Sequence, residues 1–183
     1  NRALFSDRIG QALSLARRDK TRLAVLYIDL DSFKPINDLY GHAVGDAVLR
    51  AVASRLSEAI RESDTVGRIG GDEFVVLLPG IASNENVQMV GTKILESLAC
   101  PFEVAGQTIS LSASIGIATF PEHGEDEVSL FKAADQAMYP AKANHPNCLF
   151  WAPSPDQLSP ERRPPAIPSA TRCNSPWPTA PTL

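Results

Sequence analysis

The sharpest chemical signal in the sequence is Gly70-Gly71-Asp72-Glu73-Phe74. Two carboxylates follow two glycines, and glycine tolerates positive φ and the close approach of another group. Alone, such a stretch reads more readily as an acidic, solvated turn. Asp29 shifts the balance. It stands at the end of the apolar run Leu23-Ala24-Val25-Leu26-Tyr27-Ile28, where a buried strand has no structural use for a carboxylate. Asp31 follows on the same face, because strand side chains alternate. If the Gly-Gly-Asp-Glu hairpin pairs beside this strand, Asp29 and Asp72 converge. Converging carboxylates at a sheet end make a hard oxygen site suited to Mg²⁺ and a triphosphate. Asp29 by itself would serve as a turn or cap, and the two together weaken that alternative.

Other chemistries are poorly served. His42, His123 and His145 lack ligand spacing, and the three cysteines, Cys100, Cys148 and Cys173, contain no Cys-x-x-Cys. Neither zinc nor a disulfide framework is expected, and a reducing, cytoplasmic setting fits best. No Gly-x-Gly-x-x-Gly or Gly-x₄-Gly-Lys-Ser/Thr motif offers a phosphate loop. The formal net charge of −4 gives no global positive field, so no nucleic-acid partner is expected. No apolar run approaches the length of a membrane span, so no membrane contact is expected from this stretch. The opening residues are not expected to act as a secretory signal, and a start at Asn1 rather than Met fits a fragment of a longer protein.

The elements that must position these carboxylates follow from periodicity. Phe5, Ile9, Ala12, Leu13 and Ala16 recur at helical spacing. After the strand over 23–28, residues 33–38 read as a short helix or turn that stops near Gly41. Val44, Val48, Val52, Leu56 and Ile60 form the buried stripe of a long helix. Strands over 65–69 and 74–78 are joined by the Gly-Gly-Asp-Glu hairpin. A helix marked by Val87, Val90, Ile94, Leu95 and Leu98 has Ser83 or Asn84 as its N-cap. A small hairpin turns at Ala105-Gly106, and a long strand runs over 111–120. A last helix carries Leu130, Phe131, Ala134, Ala137, Met138 and Ala141, and 148–150 closes the sheet as an edge strand. This order is not the alternation of a doubly wound sheet. It predicts an α/β (α+β) domain over 1–151, with a mixed, mainly antiparallel sheet and helices packed on it. Residues 152–183 hold nine of the 15 prolines and little apolar periodicity, so they read as a Pro-rich disordered tail.

Several separated blocks together resemble the GGDEF family of diguanylate cyclases. They are 27–38 (Tyr-Ile-Asp-Leu-Asp-Ser-Phe-Lys-Pro-Ile-Asn-Asp), 41–46 (Gly-His-Ala-Val-Gly-Asp), 68–74 (Arg-Ile-Gly-Gly-Asp-Glu-Phe), 114–118 (Ser-Ile-Gly-Ile-Ala) and 134–139 (Ala-Asp-Gln-Ala-Met-Tyr). The resemblance implies a palm-like nucleotidyl-cyclase fold and the Mg²⁺-dependent condensation of two GTP into cyclic di-GMP, with Mn²⁺ as an alternative metal. It implies that Asp29, the Leu30 carbonyl and Asp72 hold the metal, with Glu73 in support, and that Asp72 takes the proton of the attacking 3′-hydroxyl. Lys34 and Lys142 would meet phosphate, Gly70 and Gly71 would admit the substrate, and Asn37 and Asp46 would read guanine. Guanine presents N1–H and N2–H₂ donors that a carboxylate accepts, whereas adenine would leave Asp46 unpaired. Arg61 and Asp64 match the family's Arg-x-x-Asp product-inhibition site. Each domain would bind one GTP, so a homodimer is implied at least transiently, with flanking sensor or effector domains in the full protein.

The alternative is a catalytically weak domain that binds GTP or cyclic di-GMP and regulates a partner. His145-Pro146 stands where the family usually has glycine and arginine, and Pro140 falls late in the last helix. Losing one charged hydrogen bond there is expected to weaken GTP binding about ten- to a hundredfold.

Overall fold

The computed structural model describes residues 2–142 and 147–153. Helix α1 (Arg2–Asp19) leads into β1 (Arg22–Asp31), followed by α2 (Phe33–Tyr40) and α3 (His42–Ala59). Strands β2 (Thr65–Arg68) and β3 (Glu73–Ile81) precede α4 (Asn84–Ala99), the small strands β4 (Phe102–Val104) and β5 (Gln107–Ile109), and β6 (Ser112–Phe120). Helix α5 (Glu127–Lys142) and β7 (Leu149–Trp151) complete the order. The main sheet runs β2-β3-β1-β6-β7, antiparallel except where β7 pairs parallel to β6. This is the mixed, mainly antiparallel α/β sheet the sequence predicts. No helix among the described residues is long and apolar enough to cross a membrane.

β1 is central because both of its faces are apolar. Ala24, Leu26, Ile28 and Leu30 join a core with Val48, Val52 and Leu56 of α3 and Val87, Ile94 and Leu98 of α4. Leu23 and Val25 join a second core with Phe5, Ile9 and Leu13 of α1 and Leu130 and Ala134 of α5. Helices therefore cover both faces, and only the ends of the central strands are open to carry polar groups.

Local chemistry fixes the element ends. Ser83 caps α4 by accepting from the Asn86 amide at 3.4 Å. Asp126 and Ser129 cap α5 reciprocally, each side chain accepting from the other's amide, at 2.8 and 3.2 Å. Helix α5 begins three residues ahead of Leu130, the first of the apolar positions that mark it in the sequence, because Glu127, Val128 and Ser129 lie outside its apolar stripe. Ala105 and Gly106, at φ 51° and 75°, form the β4–β5 turn with two consecutive left-handed residues. Pairing runs one residue past the expected domain boundary: the Ala152 amide donates to the Ile117 carbonyl at 2.8 Å, and Ala152 is buried. The tail from 154 lies outside the described residues, as does Cys173, while neither Cys100 nor Cys148 is joined in a disulfide among the described residues.

One glycine sets the height of α5 over the sheet. A Cβ at Gly116 would lie 1.9 Å from the Ala134 carbonyl oxygen, a backbone atom that cannot swing aside. Gly116 pairs with Tyr27 of β1, so α5 descends beside that residue. Gly116→Ala is expected to lower the unfolding free energy by about 1–3 kcal/mol through overpacking. Gly10→Ala, in α1 with open space around it, is expected to raise it by roughly 0.5–1 kcal/mol. Urea melts of the two variants check both signs.

Candidate active site

The β1–β3 ladder ends with Asp29 paired to Glu73. The next contact is the Leu30 amide donating to the Asp72 carbonyl at 3.2 Å. That bond makes Leu30 and Asp72 a hydrogen-bonded pair, which makes Asp29 and Glu73 a non-hydrogen-bonded pair, the kind whose side chains stand closest. Like charges directly opposite are destabilising. The N–H and C=O of one strand residue point the same way, so the Leu30 carbonyl also faces the loop. The structure thus sets Glu73 directly across from Asp29 and ties Asp72 to β1 through its backbone.

The connecting loop is shaped differently from the sequence reading. Neither Gly70 nor Gly71 adopts positive φ. Instead, the Ile69 amide donates to the Glu73 carbonyl at 3.0 Å, and the Arg68 guanidinium gathers the turn. Its Nε donates to the carbonyls of Gly70 and Gly71 at 3.1 and 3.0 Å, and a terminal nitrogen donates to Gly71 at 2.8 Å. Gly70 is needed for space: a Cβ there would lie 2.1 Å from Glu73 Oε2. Around Gly71 there is open space.

Two aspartates that alternate along β1 have different surroundings. Asp31 accepts from the hydroxyls of Ser112 and Ser114, both at 2.8 Å, and from the Asn147 amide at 3.2 Å. It ties β1 to β6 and to the approach to β7. Glu73 accepts a 3.0 Å hydrogen bond from the Tyr27 hydroxyl. Burial raises the Tyr27 phenol above its ordinary value, and the bond to Glu73 and the charges of Glu73, Asp135 and Asp29 raise it further. Tyr27, Arg68 and Asp135 were not singled out from the sequence. Tyr27 looked like one more core residue, and only the paired register shows that its hydroxyl meets an acid.

The α2–α3 corner brings two further candidates together. Gly41 ends α2 and starts α3 at φ 84°. A Cβ at Gly45 would lie 1.9 Å from the Asn37 side-chain oxygen, so the Asn37 amide lies over the residue that precedes Asp46. Asn37 is half-buried and Asp46 exposed; Lys34 is exposed in the first turn of α2. Arg61 and Asp64 precede β2, whereas the acidic loop follows it. Four strand residues, about 13 Å, separate the two. The Asp64 carboxylate accepts from the Arg61 backbone amide at 3.0 Å, which closes the turn and leaves the exposed guanidinium outside that bond. Lys142 is the last residue of α5, which continues past Pro140. His145 and Pro146 lie outside the described residues.

The family model for the diguanylate cyclase GGDEF domain matches residues 1–148. The diguanylate cyclase TpbB of Pseudomonas aeruginosa is 47% identical over 143 residues, which is 78% of this chain and 33% of that protein. A crystal structure of the TpbB GGDEF domain superposes with a TM-score of 0.81 at 44% identity, covering 84% of this chain and 96% of that one. The cyclic di-GMP phosphodiesterase PdeR of Escherichia coli is 39% identical over 142 residues, 78% of this chain and 21% of PdeR. The chain belongs to the GGDEF family. It spans about a third of the length of TpbB.

The two β1 aspartates should respond oppositely to substitution. Asp29→Asn is expected to leave the metal-free fold as stable or up to about 1 kcal/mol more so, by relieving the like-charge pair. Asp31→Ala strands three donors and is expected to cost about 1–3 kcal/mol. Thermal and urea melts in chelator compare them. Tyr27 adds a pH signature. The folded phenol holds its proton above the unfolded value of 10.0, so unfolding free energy should fall as pH rises past that value. Tyr27→Phe should flatten this part of the pH–stability curve.

Proposed function

We propose that this chain is a diguanylate cyclase domain that condenses two GTP into cyclic di-GMP and releases pyrophosphate. The observation that carries the reading is the pairing of Asp29 with Glu73 at the end of the β1–β3 ladder, in a chain of the GGDEF family. Mg²⁺ suits this donor chemistry. It is usually held by one or two carboxylates, with water and substrate phosphates completing its shell. Among the described residues no three His, Cys, Asp or Glu side chains gather as a ready-made metal cage. Asp29, the Leu30 carbonyl and Asp72 would hold the cation, together with Glu73, which stands directly across from Asp29. When bound, it would offset charge on the α-phosphate and the leaving pyrophosphate.

The remaining roles belong to the chain's own groups. Asp72 accepts the proton of the attacking 3′-hydroxyl. The freed oxygen bonds to the α-phosphorus of the GTP on a facing domain, and the bond to pyrophosphate breaks. A second, symmetric transfer closes the ring. Lys34 and Lys142 balance phosphate charge, and Asn37 with Asp46 selects guanine. Gly71, with open space around it, leaves room for the substrate beside the loop, and Gly70 makes room there for Glu73. Each domain holds one GTP, so the active form is a homodimer, with input supplied by domains outside this stretch.

A second reading keeps the fold and changes the role: a weak or inactive domain that binds GTP or cyclic di-GMP and regulates a neighbour. The similarity to PdeR, named as a phosphodiesterase, favours it. Incubation of the purified chain with GTP and Mg²⁺, followed by chromatography, separates the two. Cyclic di-GMP and pyrophosphate in a 1:2 ratio support the cyclase. Nucleotide binding without product supports the regulatory module.

Two substitutions sharpen the assignment. Asp72→Asn is expected to abolish turnover while the melting temperature stays within a few degrees, because a turn accepts Asn as readily as Asp. Arg61→Ala is expected to leave the initial rate unchanged and to weaken inhibition by cyclic di-GMP at least tenfold, since a guanidinium matches phosphate bidentately. Progress curves with and without added product measure both effects.

A further inference from the structure

Tyr27 lies two residues before Asp29, on the same face of β1. Its direct partner on β3 is Val75, so Glu73 is a diagonal neighbour, about 7–8 Å away by backbone geometry. A long side chain spans that gap, and the phenol does so with its hydroxyl 3.0 Å from Glu73 Oε1. The ring itself is fixed. Phe131 of α5 meets it edge-on with centroids 6.3 Å apart, and Phe131 is in turn 6.1 Å from Phe5 of α1. The β6 partner of Tyr27 is Gly116, whose missing side chain lets α5 bring Phe131 down. Phenylalanine would satisfy this aromatic setting, and a partly buried hydroxyl is costly unless paired. The hydroxyl's partner is Glu73, whose carboxylate accepts its hydrogen bond at 3.0 Å.

The other carboxylate oxygen is also placed. Glu73 Oε2 occupies the space that a Cβ at Gly70 would take. One oxygen is thus tied to Tyr27, and the second lies against the loop that carries Asp72. Repulsion from Asp29 across the ladder would otherwise favour a Glu73 rotamer turned away.

We infer that Tyr27 is a positioning residue: its hydroxyl holds Glu73 in the rotamer that presents Oε2, together with Asp29, to a divalent cation. The inference rests on the metal-dependent reading of this site. It predicts a split between metal affinity and turnover. Without the hydroxyl the donors remain, but Glu73 must be reoriented each time the cation binds.

The test uses Tyr27→Phe in the full chain, with Mn²⁺ alone as probe, followed by electron paramagnetic resonance. Losing one hydrogen bond to a charged group is expected to raise the Mn²⁺ Kd about three- to tenfold. In turnover assays the metal concentration for half-maximal rate should rise by the same factor, with kcat at saturating metal within about twofold of wild type. A merely structural tyrosine would change the melting temperature and kcat without this metal-specific split. In protein labelled with 3-fluorotyrosine, the ¹⁹F resonance that persists in a Tyr40→Phe, Tyr139→Phe double variant belongs to Tyr27 and should move when Mg²⁺ is added, a readout that needs no folded Tyr27 variant. Unchanged Mn²⁺ affinity in a folded Tyr27→Phe, or a stationary Tyr27 resonance at saturating Mg²⁺, overturns the inference. If the wild type makes no cyclic di-GMP yet Tyr27→Phe weakens Mn²⁺ binding, the positioning role stands and the cyclase reading fails.

Discussion

Asp29 and Glu73 face each other across the last rung of a ladder whose rungs from Leu23 to Ile28 pair apolar and aromatic residues. Two carboxylates in that relation repel, and no sheet gains stability from them. Their placement therefore depends on register. One residue of slip would turn Asp29 into the core of α3 and α4 and put Ile28 in its place. The register is held by both cores together: Ile28 opposite Phe74 on one face, Tyr27 opposite Val75 on the other. Because helices cover both faces, a slip on either side would bury charge, which costs several kcal/mol.

The surroundings divide into groups that tolerate the acidic pair and groups that aim it. Asp31 is fully engaged by Ser112, Ser114 and the Asn147 amide, so a third nearby carboxylate is consumed in joining β1 to β6. Arg68 collects the carbonyls of Gly70 and Gly71, which gives the loop one shape without left-handed glycines. Gly116 sets α5 close enough for Phe131 to brace Tyr27, and Tyr27 in turn meets Glu73. A site that gathers like charge is a local conflict within a well-packed fold, and such conflicts mark function.

Much of this was legible in the sequence. The apolar run into Asp29 gave away β1 because a central strand must be apolar on both faces. The four-residue spacing from Val44 gave away α3. Asp29, Asp72 and Glu73 stood out because acids at strand ends lack a packing role. What stayed hidden depends on pairing partners. Glu73 rather than Asp72 lies directly opposite Asp29, a consequence of the β1–β3 register. The Tyr27 hydroxyl looked like part of a core residue until its diagonal neighbour was known. Gly70 reads as allowing positive φ and a close approach; only the close approach holds, and the folded loop shows that the approaching group is Glu73 Oε2. The start of α5 is not legible in its apolar positions, because Asp126 and Ser129 act through backbone amides, outside any apolar period.

The central claim is that the repelling pair is the seat of a divalent cation. Anomalous diffraction from crystals grown with Mn²⁺ and a non-reactive GTP analogue tests it most directly. The account predicts a manganese peak bonded to carboxylate oxygens of Asp29, Asp72 and Glu73 and to the Leu30 carbonyl, at about the 2.0–2.2 Å usual for small hard cations with oxygen ligands. A peak ligated by Asp31 or Asp135 instead, or a nucleotide bound with no metal between Asp29 and Glu73, would contradict it.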